Sequence, residues 1–92
     1  MRFVLDGGSV GSRQALHQTL AAGLRFPDWY GGNLDALHDC LTELTEPTEL
    51  VIRNSRALEE TLGGYVLPLR RVLADCAEEN GLLSVVWEED AP

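Results

Sequence analysis

The chain has 92 residues, 45% of them hydrophobic and 24% charged. That suits one globular domain over residues 1–92 and leaves little room for a second core or a deep substrate cavity. Seven arginines, no lysine and fifteen acids give a net charge of −8. Such a balance speaks against nucleic-acid binding, which depends on basic side chains displacing counterions, and it anticipates a basic partner.

Taken in order, residues 3–5 are a short apolar run closed by Asp6-Gly7-Gly8, which reads as a first strand and turn. Ser12 caps a helix whose Leu16, Leu20 and Leu24 recur at helical spacing, with Gly23 near its stop. Residues 26–32 form an aromatic-rich loop, and Asn33 caps a second helix expected to run to about Leu44. A second strand is predicted over residues 50–52 and a short helix over residues 55–62, closed by Gly63-Gly64. A longer helix starts near Tyr65, holds Pro68 in or near its first turn and stops at Asn80-Gly81. Residues 82–87 are the last strand. Helices between short, apolar strands predict a small α/β fold with a buried parallel sheet and right-handed crossovers.

No stretch carries the long apolar core of a signal peptide or approaches the ~20 apolar residues of a membrane span, so a cytoplasmic location and no membrane partner are expected. Cys40 and Cys76 are too few for a disulfide framework and should be thiols.

The acids fall in blocks. Residues 26–52 hold six acids and no base, and residues 72–92 hold six more, ending in the tail Glu88-Glu89-Asp90-Ala91-Pro92. On the second helix, at about 100° per residue, Leu34, Leu37, Leu41 and Leu44 form one apolar stripe. Asp35, Asp39 and Glu43 follow i, i+4, i+8 on the opposite face. Like charges at that spacing cost a helix a few tenths of a kcal/mol per pair, and no base relieves them. The ridge is either a solubilising face or a row of carboxylates for a cationic site. Trp29 and Tyr30 beside it favour the second, since aromatics next to charge are common interface anchors, although Tyr30 could equally pack under the loop.

The run Phe26-Pro27-Asp28-Trp29-Tyr30-Gly31-Gly32-Asn33-Leu34-Asp35-Ala36-Leu37-His38-Asp39-Cys40-Leu41 resembles the signature of the barstar family, small acidic intracellular inhibitors of secreted guanyl-specific ribonucleases. Weaker likeness extends over Asp6-Gly7, over residues 15–20 and to Gly81. The resemblance implies a three-stranded parallel sheet with about four helices. It also implies a stoichiometric, one-to-one plug in which the second helix and its preceding loop fill the active site of an extracellular guanyl-preferring ribonuclease. By that resemblance Asp39 takes the place of a substrate phosphate and Asp35 pairs with a guanine-site arginine. Gly31, Asn33 and Thr42 also fall at the interface, and Trp29 stands where well-known members carry a stacking Tyr. The expected partner-binding set is therefore Trp29, Tyr30, Gly31, Asn33, Asp35, His38, Asp39 and Thr42.

Three positions depart from the family. His38 replaces a rim Trp, Glu43-Leu44 replaces a Gly-Trp pair, and the family's acidic contact on the last helix falls on Cys76, leaving Asp75 or Glu79 as substitutes. Cys76 itself follows the periodicity of a buried face with Leu69, Val72 and Leu73. No enzymatic activity, cofactor or metal is expected. An exposed helix face does not exclude water as acid–base work requires, and His38-x-Cys40 is not a ligand pair at one-turn spacing. An acidic binding module for a different basic partner is the alternative from another class.

Overall fold

The computed structural model describes residues 1–89; the Asp90-Ala91-Pro92 part of the acidic tail lies outside the described residues. In chain order the elements are β1 (Arg2–Asp6), α1 (Arg13–Leu24), α2 (Leu34–Thr42), β2 (Thr48–Arg53), α3 (Ser55–Leu62), α4 (Val66–Glu79) and β3 (Leu83–Trp87). Tight 3-10 turns at Gly7–Ser9 and Gly63–Tyr65 link β1 to the chain before α1 and α3 to α4. The three strands form a parallel sheet in the order β1-β2-β3, with Val4 beside Val51 and Val51 beside Val86. The α/β class, the parallel sheet and the helix order all follow the sequence expectation.

The strands are longer than their apolar runs. β2 begins at Thr48, whose N–H donates to the Leu82 carbonyl at 2.8 Å, while the Glu49 N–H donates to the Met1 carbonyl at 2.8 Å. Ladder hydrogen bonds use backbone groups, so a strand can continue where its side chains turn polar.

The sheet is covered on one face only, which differs from the buried sheet expected above. Phe3, Leu5, Leu50, Ile52, Leu83, Val85 and Trp87 pack in one cluster with leucines from all four helices, whereas Val4, Val51 and Val86 lie outside that cluster, Val51 buried and Val86 exposed. On that second face the valines lie in one row between the Arg2–Glu49 pair at 2.8 Å and the Arg53–Glu88 pair at 3.0 Å. The cause is topological. When each crossover steps in the same direction along the sheet, right-handedness puts every connecting helix on the same side.

Gly23, the last residue but one of α1 and so near its stop as expected, also serves a close approach. A Cβ there would come within 2.3 Å of the Phe3 ring, so only glycine lets α1 settle on β1. The helix ends at Arg25 in the left-handed conformation, φ 59°, with its N–H donating to the Ala21 carbonyl.

Candidate functional site

The site begins with the loop after α1. Phe26 packs on Tyr30 with ring centroids 4.9 Å apart, and the Tyr30 N–H donates to the Pro27 carbonyl at 3.0 Å. That turn puts Trp29 at its outer corner, 63% exposed. Tyr30 faces the other way: its hydroxyl lies 2.5 Å from Nδ1 of His17, and Nε2 of the same imidazole lies 2.8 Å from the Tyr65 hydroxyl. His17 is only 3% exposed, and the Arg13 guanidinium sits 4.4 Å from the centroid of the Tyr65 ring. A neutral imidazole has one N–H and one lone pair, so one tyrosine donates to it and the other accepts. Burial favours that neutral form and holds His17 below the ordinary imidazole range. Tyr30 is pushed well above the usual phenol range, first by burial and then by the nearby Cys40 and Tyr65. The aromatic pair thus divides its work: Trp29 offers area to solvent and Tyr30 ties the loop to the core.

Gly32, at φ 70°, turns the chain into Asn33, whose Oδ1 accepts the Ala36 N–H at 2.8 Å and starts α2. Leu37, Cys40 and Leu41 are buried and Asp35 lies in the first turn, where the helix dipole favours an anion. Asp35, Asp39 and Glu43 are exposed, and the Asp39 side chain is 70% exposed. No arginine pairs with any of the three among the described residues.

α2 stops at Thr42, two residues before the predicted end, and Glu43 is its C-terminal cap. The reason lies on another element. The Asn80 amide donates to the carbonyls of Leu41 at 3.2 Å, Thr42 at 3.4 Å and Leu44 at 3.2 Å, supplying from the end of α4 the partners that a further turn would have provided. The acidic ridge therefore consists of two helical carboxylates and a third at the cap.

α4 also shapes the surface. Cys76 is fully buried and its thiol points at the His38 carbonyl, 3.8 Å away, so this position offers no contact to a partner. The His38 ring lies between two carboxylates, its Nε2 2.7 Å from Glu79 Oε2 and its Nδ1 4.0 Å from Asp39 Oδ1. Asp75, Glu78 and Glu79 line a shallow hollow with His38. The Thr42 hydroxyl is turned back onto its own helix, donating to the His38 carbonyl at 2.9 Å.

Of the expected partner-binding residues, Trp29, Asp35 and Asp39 are presented outward, and Gly31 is exposed beside them. Tyr30, Asn33 and Thr42 hold the surface in shape through the bonds described. His38 is half-buried in the seam between α2 and α4. Sequence reasoning missed His17, Tyr65 and Asn80 as supports. Only the helical spacing of His17 with Leu16 and Leu20 hinted that it points inward.

Both cysteines are free and buried. Burial first, then the charges of Glu79 and Asp75, push the Cys76 thiol up to about 11. Cys40 is raised for the same reasons, with Glu43 and Asp39 as its neighbours, so neither is an activated nucleophile. Among the described residues no three His, Cys, Asp or Glu side chains gather around a point that could hold a metal ion. No described helix is long and apolar enough to cross a membrane.

Fold and surface together define a small acidic α/β protein with an open face of carboxylates and one outward tryptophan. The chain matches the family Barstar (barnase inhibitor) over residues 1–88, and it belongs to that family. It is 38% identical over 79 residues to a protein of Bacillus subtilis (strain 168) named "Putative ribonuclease inhibitor YrdF", an overlap of 85% of this chain and 87% of that one.

Proposed function

We propose that this chain is a ribonuclease inhibitor that binds one-to-one to a secreted guanyl-specific microbial ribonuclease and plugs its basic active site with α2 and residues 25–33. The observation that carries this reading is the pairing of outward Asp35 and Asp39, without arginine partners among the described residues, with an outward Trp29 on a chain of the barstar family. Carboxylates left bare on a helix gain most when a partner supplies the counter-charge, and an aromatic beside them can bury area at the same contact.

In this reading Asp39 takes the phosphate position among the enzyme's cationic groups, Asp35 meets a neighbouring arginine, and Trp29 packs on the enzyme. Gly31, Asn33, Thr42 and Tyr30 shape the contact, and His38 lies at its rim. The chain acts by binding and turns over no substrate, because a surface open to water lacks the enclosed, preorganised environment that acid–base catalysis uses. A cytoplasmic location belongs to the same reading and suits two buried free thiols.

The test is an activity titration against a panel of guanyl-preferring microbial ribonucleases. The expected result is a linear loss of activity that ends at one equivalent for at least one enzyme. A panel left fully active at high excess overturns the reading. A panel is needed because inhibitors of this kind discriminate among related targets.

A further inference from the structure

The acidic surface does not stop at the edge of α2. Glu79 belongs to α4, yet its carboxylate is held 2.7 Å from His38 Nε2, and the other ring nitrogen lies 4.0 Å from Asp39. The helices are locked at the same place by backbone contacts: the Cys76 thiol points at the His38 carbonyl, and Asn80 caps the last carbonyls of α2. Packing thus sets the relative positions of the two helices at Asp39 and Glu79, and one imidazole lies between the two carboxylates.

We propose that His38 is a positioning residue that holds Glu79 alongside Asp39, so that carboxylates of two helices face the partner and their combined charge falls when the imidazole takes a proton. The inference rests on the inhibitor reading above and names the part of that surface that senses pH. The groups against the imidazole are Asp39 on its own helix and Glu79 on α4, and Asp75 and Glu78 of α4 line the same hollow, all carboxylates. Cys76 faces the His38 backbone with a thiol that is neutral near pH 7. A proton on His38 therefore subtracts negative charge from a surface meant for a cation. A cationic partner in turn favours the neutral ring, so binding and proton release are coupled in both directions.

In the tautomer with its proton on Nε2, the neutral ring already turns a donor towards Glu79, whose Oε2 lies 2.7 Å away, without any charge on the imidazole. Protonation adds a donor towards Asp39 and ties down both carboxylates. The structural consequence is small and the electrostatic one is not. This is why the effect should appear in the pH profile of binding while the fold stays intact.

The experiment measures affinity for a ribonuclease that the wild-type chain inhibits, at about pH 8 and about pH 5.5. The ribonuclease's own titrations are common to every comparison, so the difference between inhibitor variants isolates this chain. The wild-type complex should lose affinity on acidification by about fivefold more than the complex of His38→Gln, whose amide can still donate to Glu79 but does not titrate. His38→Ala should bind more weakly than His38→Gln at about pH 8, because it releases Glu79, and Glu79→Gln should weaken binding there by about threefold.

Parallel pH profiles for the wild type and His38→Gln overturn the inference while the inhibitor reading stands. Unchanged affinity in Glu79→Gln does the same. A wild-type chain that inhibits none of the ribonucleases at about pH 8 overturns the inhibitor reading, and the role proposed for His38 falls with it. Circular dichroism and urea melts that match the wild type identify variants fit for the comparison; exposed Glu79 and half-buried His38 should both pass.

Discussion

The two histidines stand in opposite surroundings. His17 is buried under the loop of residues 25–33, with each ring nitrogen given to a tyrosine hydroxyl, and burial keeps it neutral. His38 lies at the surface among carboxylates of α2 and α4. The first region is a closed hydrogen-bond network that fixes the loop carrying Trp29; the second is an open field of charge. Similar chemistry therefore does structural work in one place and leaves binding capacity in the other, because what decides is whether the polar atoms find their partners inside the chain. Substitutions in the first region should register in folding, and substitutions in the second in binding.

The largest effect should come from Asp39→Ala, which strips the counter-charge from the partner's cationic groups. Removing one member of a buried charge pair costs about 2–5 kcal/mol or more in binding, a range that barnase–barstar pairs helped to define. Calorimetry or inhibition kinetics would measure it. A urea melt of the same variant should show stability unchanged or raised by a few tenths of a kcal/mol, because repulsion within the ridge is relieved. A variant that binds like the wild type would move the site elsewhere.

In the closed region, His17→Phe should lower folding stability by about 1–3 kcal/mol, since two half-buried tyrosine hydroxyls lose their shared partner. The pH dependence has a definite sign. Burial depresses the folded-state pKa of His17 below the unfolded value of about 6.5, so the unfolded chain binds the proton more readily. The contribution of neutral His17 is whole above that unfolded value and is eroded as pH falls through it, levelling off below the folded value. Urea midpoints across pH should show this slope in the wild type, and His17→Gln should flatten it. A slope that survives the substitution would assign the acid sensitivity to other groups.

Trp29→Ala should cost about 1–2 kcal/mol in binding, as expected for an exposed aromatic anchor, while stability changes by less than about 0.5 kcal/mol. If both fall together, Trp29 supports the loop and the contrast with Tyr30 fails. Asn80→Ala should destabilise the fold by about 1 kcal/mol, because three carbonyls at the end of α2 lose one common donor. The smallest equilibrium effect, and the clearest kinetic one, is that of salt. Stopped-flow association should slow by about tenfold or more from low to physiological ionic strength, with little change in dissociation. An on-rate indifferent to salt would deny that the acidic face steers the partner.

Much of this molecule is written in local pattern. Asn33 as a cap, the leucine stripe of α2 and the carboxylates behind it are properties of one segment, because helix periodicity and capping join residues only a few positions apart. The element order is legible for the same reason, and so is the family run of residues 26–41. Strand ends were less so, since the ladder accepts residues such as Glu49 and Arg53 whose side chains give no strand signal.

Other features exist only where distant segments meet. The spacing of its own residues makes α2 acidic on one face, but α4 sets where it stops, through Asn80, and brings Glu79 beside His38. Gly23 stands near the end of α1 as its pattern suggested, but only the fold shows that it also admits the Phe3 ring, which lies on a strand. Apolar strands suggested a sheet buried on both faces, yet the strand order left Val4, Val51 and Val86 on the uncovered side, with Val51 only 2% exposed between its neighbours. Periodicity reports what each segment can bury. Which surface does the burying depends on crossover direction and helix packing, and these are decided by contacts between residues far apart in the chain.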